Sequence, residues 1–343
     1  MNITILLVLA FLVAFLTAFA STPLAIKIAH KIGAIDIPKD TRRMHKNPIP
    51  RLGGIAIVFG FLVAVTCFCI VPKEFIGIIL GALIIVGLGI LDDVKPIPAV
   101  VKFLVQILAA CIPVAFGVKI EIFTNPNLLS SAEYWVLGGL SVPITILWIV
   151  ALTNAVNLID GLDGLAAGVA SISSLCLLVV ALLVSEWNIA AFTACLAGAC
   201  FGFLPYNFNP AKIFMGDSGS TFLGFILACI SIEGLFKGYA IISFAVPLLI
   251  VALPLFDTST AILRRIKNKK PIMSPDRGHL HHKLIDMGFS HKQAVLILYG
   301  ISALMGITAI IITGFGALRA LILLGAVILF IAIWLLVMNK KHE

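Results

Sequence analysis

Five polar clusters interrupt an otherwise apolar chain, and the first two hold groups suited to phosphate or metal chemistry. Asp92-Asp93 directly follows the apolar run 76–91 and precedes Val94-Lys95-Pro96. Adjacent carboxylates at a membrane boundary repel one another and are costly to desolvate. A divalent cation or a shared proton relieves that repulsion, and Lys95 and Lys102 could hold a phosphate beside it. Read alone, the pair is equally an acidic helix end in water. In the segment from Asn154 to Gly164 polar side chains recur every third residue: Asn154, Asn157, Asp160 and Asp163. Residues three apart are neighbours on a helix surface, so all four could face one crevice. Asn and Asp together suit a nucleobase, a sugar hydroxyl or a cation shell; the plainer reading is a polar break with Asx caps. Gly161 and Gly164 let the backbone bend or approach a ligand, while Gly164 and Gly168 read best as a small-residue packing pair.

The third cluster runs from Asn207 to Ser220 and includes Phe214 and Asp217. Asp217 falls near the start of the apolar run 219–235, where it is either a simple N-cap or part of an anion site at a helix N-terminus. The string Gly216-Asp217-Ser218-Gly219 resembles one found in serine proteases, but no membrane segment supplies a convincing His partner for Ser218. The fourth cluster, Pro275 to Lys283, carries His279, His281 and His282. Histidine clusters suit metals, yet this spacing shows no fourth zinc ligand. Beside Arg277 and Lys283 the same rings suit a diphosphate, or simply a solvated loop. The fifth holds Asp36, Arg43, His45 and Pro50-Arg51-Leu52-Gly53-Gly54, whose glycines serve packing or phosphate contact equally well.

What must position these clusters is set by composition. Of 343 residues, 61% are apolar and 12% charged, against about 45–50% and about 25% in globular proteins. This excludes a soluble enzyme, a disordered chain and a secreted disulfide scaffold. The seven cysteines are odd in number, form no CxxC pair and read as small core residues. The N-terminal run, Ile3 to Ala20, has no Lys or Arg before it, so it is expected to be a retained spanning helix rather than a cleaved signal, despite Ala18-Phe19-Ala20.

Runs long enough to cross about 30 Å of hydrocarbon fall at 3–26, 53–71, 76–91, 99–117, 136–153, 164–184, 188–205, 219–235, 239–262, 293–313 and 317–338. The expectation is an all-α polytopic membrane protein of about eleven transmembrane helices, one integral domain over 1–343, with its N-terminus outside and its C-terminus cytoplasmic. The loops 27–52, 92–98, 154–163, 206–218 and 263–292 then share one side with the tail 339–343. That side, counting Lys102 just inside its span, carries every Lys and Arg of the 24 except Lys73, Lys119, Lys237 and Arg319. The positive-inside rule makes it cytoplasmic. Basic loops against anionic headgroups account for the net charge of +8 without nucleic acid. Every Asp also lies on this side or near that membrane face, whereas the outer acids are all Glu. A carboxylate-rich site built from several cytoplasmic loops explains that asymmetry.

Taken in order, the motifs resemble the polyprenyl-phosphate N-acetylhexosamine-1-phosphate transferase superfamily: PRLGG at 50–54, LDD at 91–93, NLIDGLDGLAAG at 157–168, NPAKIFMGDSGS at 209–220 and DRGHLHHKL at 276–284. The match covers nearly the whole chain. It is nearest the bacterial branch that uses UDP-N-acetylglucosamine (UDP-GlcNAc). The peptidoglycan branch, which transfers phospho-MurNAc-pentapeptide, typically has three consecutive His where this chain has Lys283 third, and a TPTMGG-like string where it has Ile49-Pro50-Arg51-Leu52-Gly53-Gly54. The resemblance implies a cytoplasm-facing plasma-membrane enzyme that uses Mg²⁺ and is inhibited by tunicamycin. It would transfer GlcNAc-1-phosphate to undecaprenyl phosphate, releasing UMP and initiating a cell-envelope polysaccharide. Carried over, Asp217 is a Mg²⁺ ligand; Asp92 and Asp93 are catalytic or Mg²⁺-linked acids. Asn157, Asp160 and Asp163 line the nucleotide-sugar site, with Asp160 counted among the catalytic acids. Asn207 and Phe214 lie near the uracil, His281 and His282 touch the UDP-sugar, and Lys102 approaches the lipid phosphate. Arg51 receives no role. The partners implied are UDP-GlcNAc, undecaprenyl phosphate and the bilayer, with no nucleic acid; a homodimer is compatible with this reading. The rival classes are the same chemistry on another sugar and a polyprenyl-lipid or anion transporter, which one-sided acids and the lack of repeats disfavour.

Overall fold

The computed structural model describes residues 2–38, 47–124, 134–236, 245–269, 271 and 278–314, with isolated positions at 325, 326, 329 and 333. Among the described residues the regular structure is helical apart from two short antiparallel ribbons and an isolated bridge between Arg51 and Phe214. Helix α1 (Ile3–Ile32) leads through β1 (Ile35–Asp36) and β2 (Ile49–Pro50) to α2 (Gly54–Phe68), α3 (Lys73–Val94) and α4 (Ala99–Ala115). After β3 (Ile122–Thr124) and β4 (Tyr134–Val136) come α5 (Ser141–Ile159), α6 (Leu165–Leu183), α7 (Trp187–Asn207) and α8 (Gly216–Ser231). Then follow α9 (Ala245–Ile250), α10 (Ala252–Lys267), α11 (Leu280–Asp286) and α12 (His291–Gly314). The β1–β2 pair sets Ile35 opposite Pro50 and Asp36 opposite Ile49. In this way the first polar loop is folded back onto the start of α2.

Eleven spans are not found. Among the described residues six helices are long and apolar enough to cross a membrane: α1, α3, Gly138–Ile159, α6, α7 and α12. The chain is therefore a multi-pass membrane protein with fewer full-length spans than its hydropathy suggests. The physical reason is that apolar length counts residues without seeing where a helix ends or what encloses it. Helices α2 and α4 stop at 15 and 17 residues. Helix α8 has 16 and is buried on every side except at Asp217, so its apolar surface meets protein rather than lipid. The run 239–262 breaks at Val251 into the six-residue α9 and the amphipathic α10, which ends in Arg264, Arg265 and Lys267. The run 317–338 and the tail 339–343 fall outside the described residues, apart from the isolated positions named above.

The expected loops are also shorter than drawn. Helix α1 continues to Ile32, α3 carries Asp92 and Asp93 in its last turn, and α5 carries Asn154 and Asn157. Most polar residues of interest thus sit on helix ends, whose backbones are fixed by their own hydrogen bonds, rather than on free loops.

Small residues decide how closely the helices approach. Ala10, Ala14, Ala18, Ala25 and Ala29 are buried along α1, which packs on α7 and α2. A Cβ on Gly198 or Gly202 of α7 would strike the carbonyls of Phe11 or Phe15. Around α8 the same device repeats: a Cβ on Gly54 of α2 would strike the Gly219 backbone, and one on Gly89 of α3 would strike the Ser218 backbone. Helices α2 and α3 are thereby brought to the first turn of α8. Gly89→Ala is expected to cost about 1–3 kcal/mol through overpacking. Gly87→Ala, with open space around its Cβ, should be near neutral. Unfolding midpoints of the two purified variants in detergent check this, and equal midpoints would refute the close packing.

Candidate active site

The site is organised at the N-terminus of α8. The first backbone N–H groups of any helix lack intrahelical acceptors. Here a carboxylate from another helix supplies them: Asp93 Oδ1 accepts from Asp217 N (2.9 Å) and Asp93 Oδ2 from Ser218 N (3.1 Å). The residue between the cap and this turn, Gly216, has φ +74°, and a Cβ there would collide with the Asp93 carboxylate. The segment before it is held by the extended chain of the first loop. Phe214 N donates to Pro50 O (2.8 Å), Gly53 N to Phe214 O (2.9 Å) and Gly54 N to Met215 O (2.8 Å). PRLGG and IFMGD therefore form one backbone-locked unit.

Two cations brace the carboxylates. Arg51 lies 3.1 Å from Asp93 Oδ1 and 3.6 Å from Asp217 Oδ1. Lys102 lies 3.1 Å from Asp92 Oδ2 and 2.9 Å from Asp217 Oδ2. Asp92 also accepts from Ile97 N at 2.7 Å. Asp217 is not the N-cap that its sequence position suggests; the cap position is Met215, and Asp217 turns its side chain out between Lys102 and Arg51. Lys102 belongs to α4, whose Val101, Leu104 and Leu108 are exposed, so an apolar exposed surface adjoins this end of the cluster.

On the other side of Asp217 opens a cavity of about 410 Å³. Asn157, Asp160 and Asp163 all line it, so three of the four residues in the every-third pattern share a crevice. Asn154 does not: it donates to Gln106 of α4 at 2.6 Å. The helix ends at Ile159, and Asp160 is its C-cap residue. Asn157 accepts from Ser220 Oγ (2.8 Å). Asp163 accepts from Asn209 Nδ2 (2.8 Å) and Ala211 N (3.0 Å). No donor reaches the Asp160 carboxylate among the described residues. Burial, reinforced by the nearby Asp217 and Asp93 charges, pushes it up to about 7.

The remaining candidates divide. Phe214 and Asn207 line the cavity, but the Asn207 amide is committed to backbone, accepting from Gly164 N (3.1 Å) and donating to Ile213 O (3.0 Å). His282 lines the cavity, whereas His281 turns into a small apolar pocket behind it with Leu253 and Leu298. A Cβ on Gly161 would strike the His281 ring. Burial, with His282 beside it, pushes His281 down to about 3, so this ring is neutral. Asp92, Asp93 and Lys102 lie behind Asp217 rather than in the cavity wall. Arg43, His45, Asp276 and Arg277 fall outside the described residues.

Sequence reasoning gave four residues of the site no role. Arg51 had no assigned partner, although an Arg before two glycines was the available signal. Asp36 and His291 line the cavity from outside the motif cores. Asp257 sits in an apolar run; it accepts from Leu280 N (2.8 Å) and pairs with His279 Nδ1 (2.8 Å), anchoring the histidine segment.

The donor chemistry fits a hard divalent cation. Asp217 and Asp160 line the cavity, with Asp92 behind Asp217, and three Asp (Asp92, Asp93 and Asp217) bracket the two cationic side chains. Among the described residues no three His, Cys, Asp or Glu side chains converge to hold a metal by themselves. Mg²⁺ commonly takes one or two carboxylates and completes its shell with water and substrate phosphates.

Comparison with known proteins agrees with this architecture. The glycosyl transferase family 4 pattern matches residues 75–235. The chain is similar to the probable undecaprenyl-phosphate N-acetylglucosaminyl 1-phosphate transferase of Bacillus subtilis, 42% identical over 328 residues, covering 95% of this chain and 90% of that protein. It is 34% identical to the decaprenyl-phosphate N-acetylglucosaminephosphotransferase of Mycobacterium leprae over 85% of this chain and 80% of the relative. It is 28% identical to the undecaprenyl-phosphate alpha-N-acetylglucosaminyl 1-phosphate transferase of Escherichia coli K12 over 82% and 77%.

The capping geometry separates two acids that look alike in sequence. Asp93→Ala removes the cap of α8 and leaves Arg51 with one fewer carboxylate, at an expected cost of about 2–4 kcal/mol. Asp217→Asn leaves the cap intact and should shift stability much less. Thermal unfolding of both variants in detergent distinguishes them; equal or reversed losses would rule out the capping role.

Proposed function

The chain belongs to glycosyl transferase family 4, and from that premise we propose that it transfers GlcNAc-1-phosphate from UDP-GlcNAc to undecaprenyl phosphate. The products are GlcNAc-diphosphoundecaprenol and UMP, the first committed step of a cell-envelope polysaccharide. The observation that carries the reading is the double exposure of Asp217: it lines a polar cavity on one side and touches Lys102, beside the exposed apolar surface of α4, on the other. A water-soluble donor and a membrane-confined acceptor could meet there.

In this reading the cavity takes the nucleotide sugar and Lys102 receives the phosphate of the lipid. An oxygen of the lipid phosphate attacks the β-phosphorus of UDP-GlcNAc. A new P–O bond forms to that phosphorus, the bond to the α-phosphate bridge breaks, and UMP leaves with the electron pair. The acceptor is already a nucleophile near neutral pH once its second proton is off, so direct attack is favoured over an aspartyl-phosphate route. The chain's own work is then positioning and charge placement. Asp93 holds the α8 terminus and aims Arg51. Asp92 and Asp217 hold Lys102. Asn157, Asp163 and Asn207 shape the nucleotide-sugar wall through the contacts described above, and Phe214 offers a ring face to a base. His282 faces the sugar-diphosphate, while His281 supports it from behind. Mg²⁺ is the proposed cofactor, held by Asp217 and Asp92 with Asp160 near it; when bound it neutralises phosphate charge. The excess of Lys and Arg on the loops beside the site supports a cytoplasm-facing orientation.

The direct test is UMP release by purified protein supplied with lipid phosphate, Mg²⁺ and a panel of UDP-sugars. Sustained release should require the lipid and be selective for UDP-GlcNAc; multiple turnovers without lipid, or with another sugar preferred, overturn the reading. Asp217→Asn should abolish turnover, and EDTA should do so reversibly. Lys102→Ala should raise the KM for lipid phosphate more than that for UDP-GlcNAc. One phosphoanhydride is broken and one made, so the equilibrium should lie within roughly 1.4–2.8 kcal/mol of balance. Labelled UMP should therefore exchange into UDP-GlcNAc when lipid product is present. Exchange in lipid-depleted enzyme would instead favour the two-step route.

A further inference from the structure

His291 lies outside every motif cluster, at the first position of α12, yet it lines the cavity. Its Nε2 accepts the backbone N–H of Asp163 at 2.8 Å. A ring nitrogen that accepts from an N–H carries no proton, so in the neutral ring the proton sits on Nδ1. Among the described residues no acceptor is hydrogen-bonded to that Nδ1–H. Its side chain is 18% exposed, so it is neither sealed in the core nor free in water. The backbone it grips is already tied down on its other face, because the Asp163 carboxylate takes Asn209 Nδ2 and Ala211 N.

We propose that His291 is a specificity-determining residue of the transferase site, fixing the Asp163 turn through Nε2 and donating its Nδ1–H to an oxygen of the nucleotide sugar. The inference rests on the transferase reading above. An oxygen-rich ligand is the right class, since the ring offers one donor and the backbone N–H of Asp163 is already taken. The wall around it adds the Asp163 and Asp160 carboxylates and Asn157, which accept from or donate to hydroxyls rather than repel them. The sugar or ribose hydroxyls are thus better partners for this part of the cavity than the phosphates, which the Arg51 and Lys102 end would draw.

The two ring nitrogens can be tested separately. His291→Gln places an amide oxygen near the Nε2 position and keeps an acceptor for Asp163 N, but removes the Nδ1–H. His291→Ala removes both. Steady-state kinetics on the purified full-length chain should show His291→Gln with the KM for UDP-GlcNAc raised about tenfold, equivalent to about 1.4 kcal/mol. Its KM for lipid phosphate and its unfolding midpoint should stay near wild type. His291→Ala should also lose kcat and lower the midpoint, because the turn is released. Donor KM in His291→Gln equal to wild type would overturn the proposal and leave His291 as a structural tie. A raised lipid KM with an unchanged donor KM would overturn it as well. Wild-type turnover in the same assay separates this outcome from failure of the transferase reading, which would show as no lipid-dependent UMP release at all.

Discussion

The capping of α8 by Asp93 is the interaction on which the site depends. A carboxylate from the last turn of α3 satisfies two backbone N–H groups of a helix more than a hundred residues later in the chain. The contact requires Gly89, Gly54, Gly219 and Gly216, because a Cβ at any of them would occupy the approach. Once the cap is made, the direction of Asp217 follows. Its backbone is held by Asp93, so its side chain must leave the helix between Arg51 and Lys102. The cost of burying Asp93 is offset in part by an Arg and two N–H donors.

Much of the site was legible in the sequence because its residues are polar interruptions in apolar runs. Asn157, Asp160 and Asp163 were grouped by their every-third spacing, and the structure sets all three on one cavity wall although α5 ends at Ile159 and only Asn157 lies on the helix. Asn154 obeyed the same spacing and went elsewhere, since its face of α5 meets Gln106 of α4, a tertiary fact that no periodicity records. Asp217 looked like a cap and is not one, because the true cap comes from a distant helix. Arg51 was noted without a role, and Asp257 and His291 were not singled out, for the same reason. Each acts through a partner far away in the chain. The span count failed on a different ground: apolar length does not distinguish lipid from protein surroundings, and α8 is apolar because it is enclosed.

Charge balance explains why the same cluster can be stable and reactive. Lys102 and Arg51 neutralise Asp92, Asp93 and Asp217 in part, so the carboxylates tolerate burial. Asp160 accepts from no donor among the described residues, and burial, with the Asp217 and Asp93 charges nearby, pushes its carboxyl up to about 7. The cluster thus carries both signs of charge: Arg51 and Asp217 line the cavity, and Lys102 stands between Asp92 and Asp217 behind it.

The stripe of alanines along α1 has a consequence for how the chain is made. Its main partner is α7, and Ile32 and Trp187 are separated by roughly 150 residues. At about 5–20 residues per second, α1 would wait on the order of ten to thirty seconds for that partner during synthesis. Helix α2 packs on α1 as well and emerges soon after it, so it can shelter part of the stripe in the interval. The order of elements along the chain thus provides a temporary neighbour for the first helix before its permanent one exists.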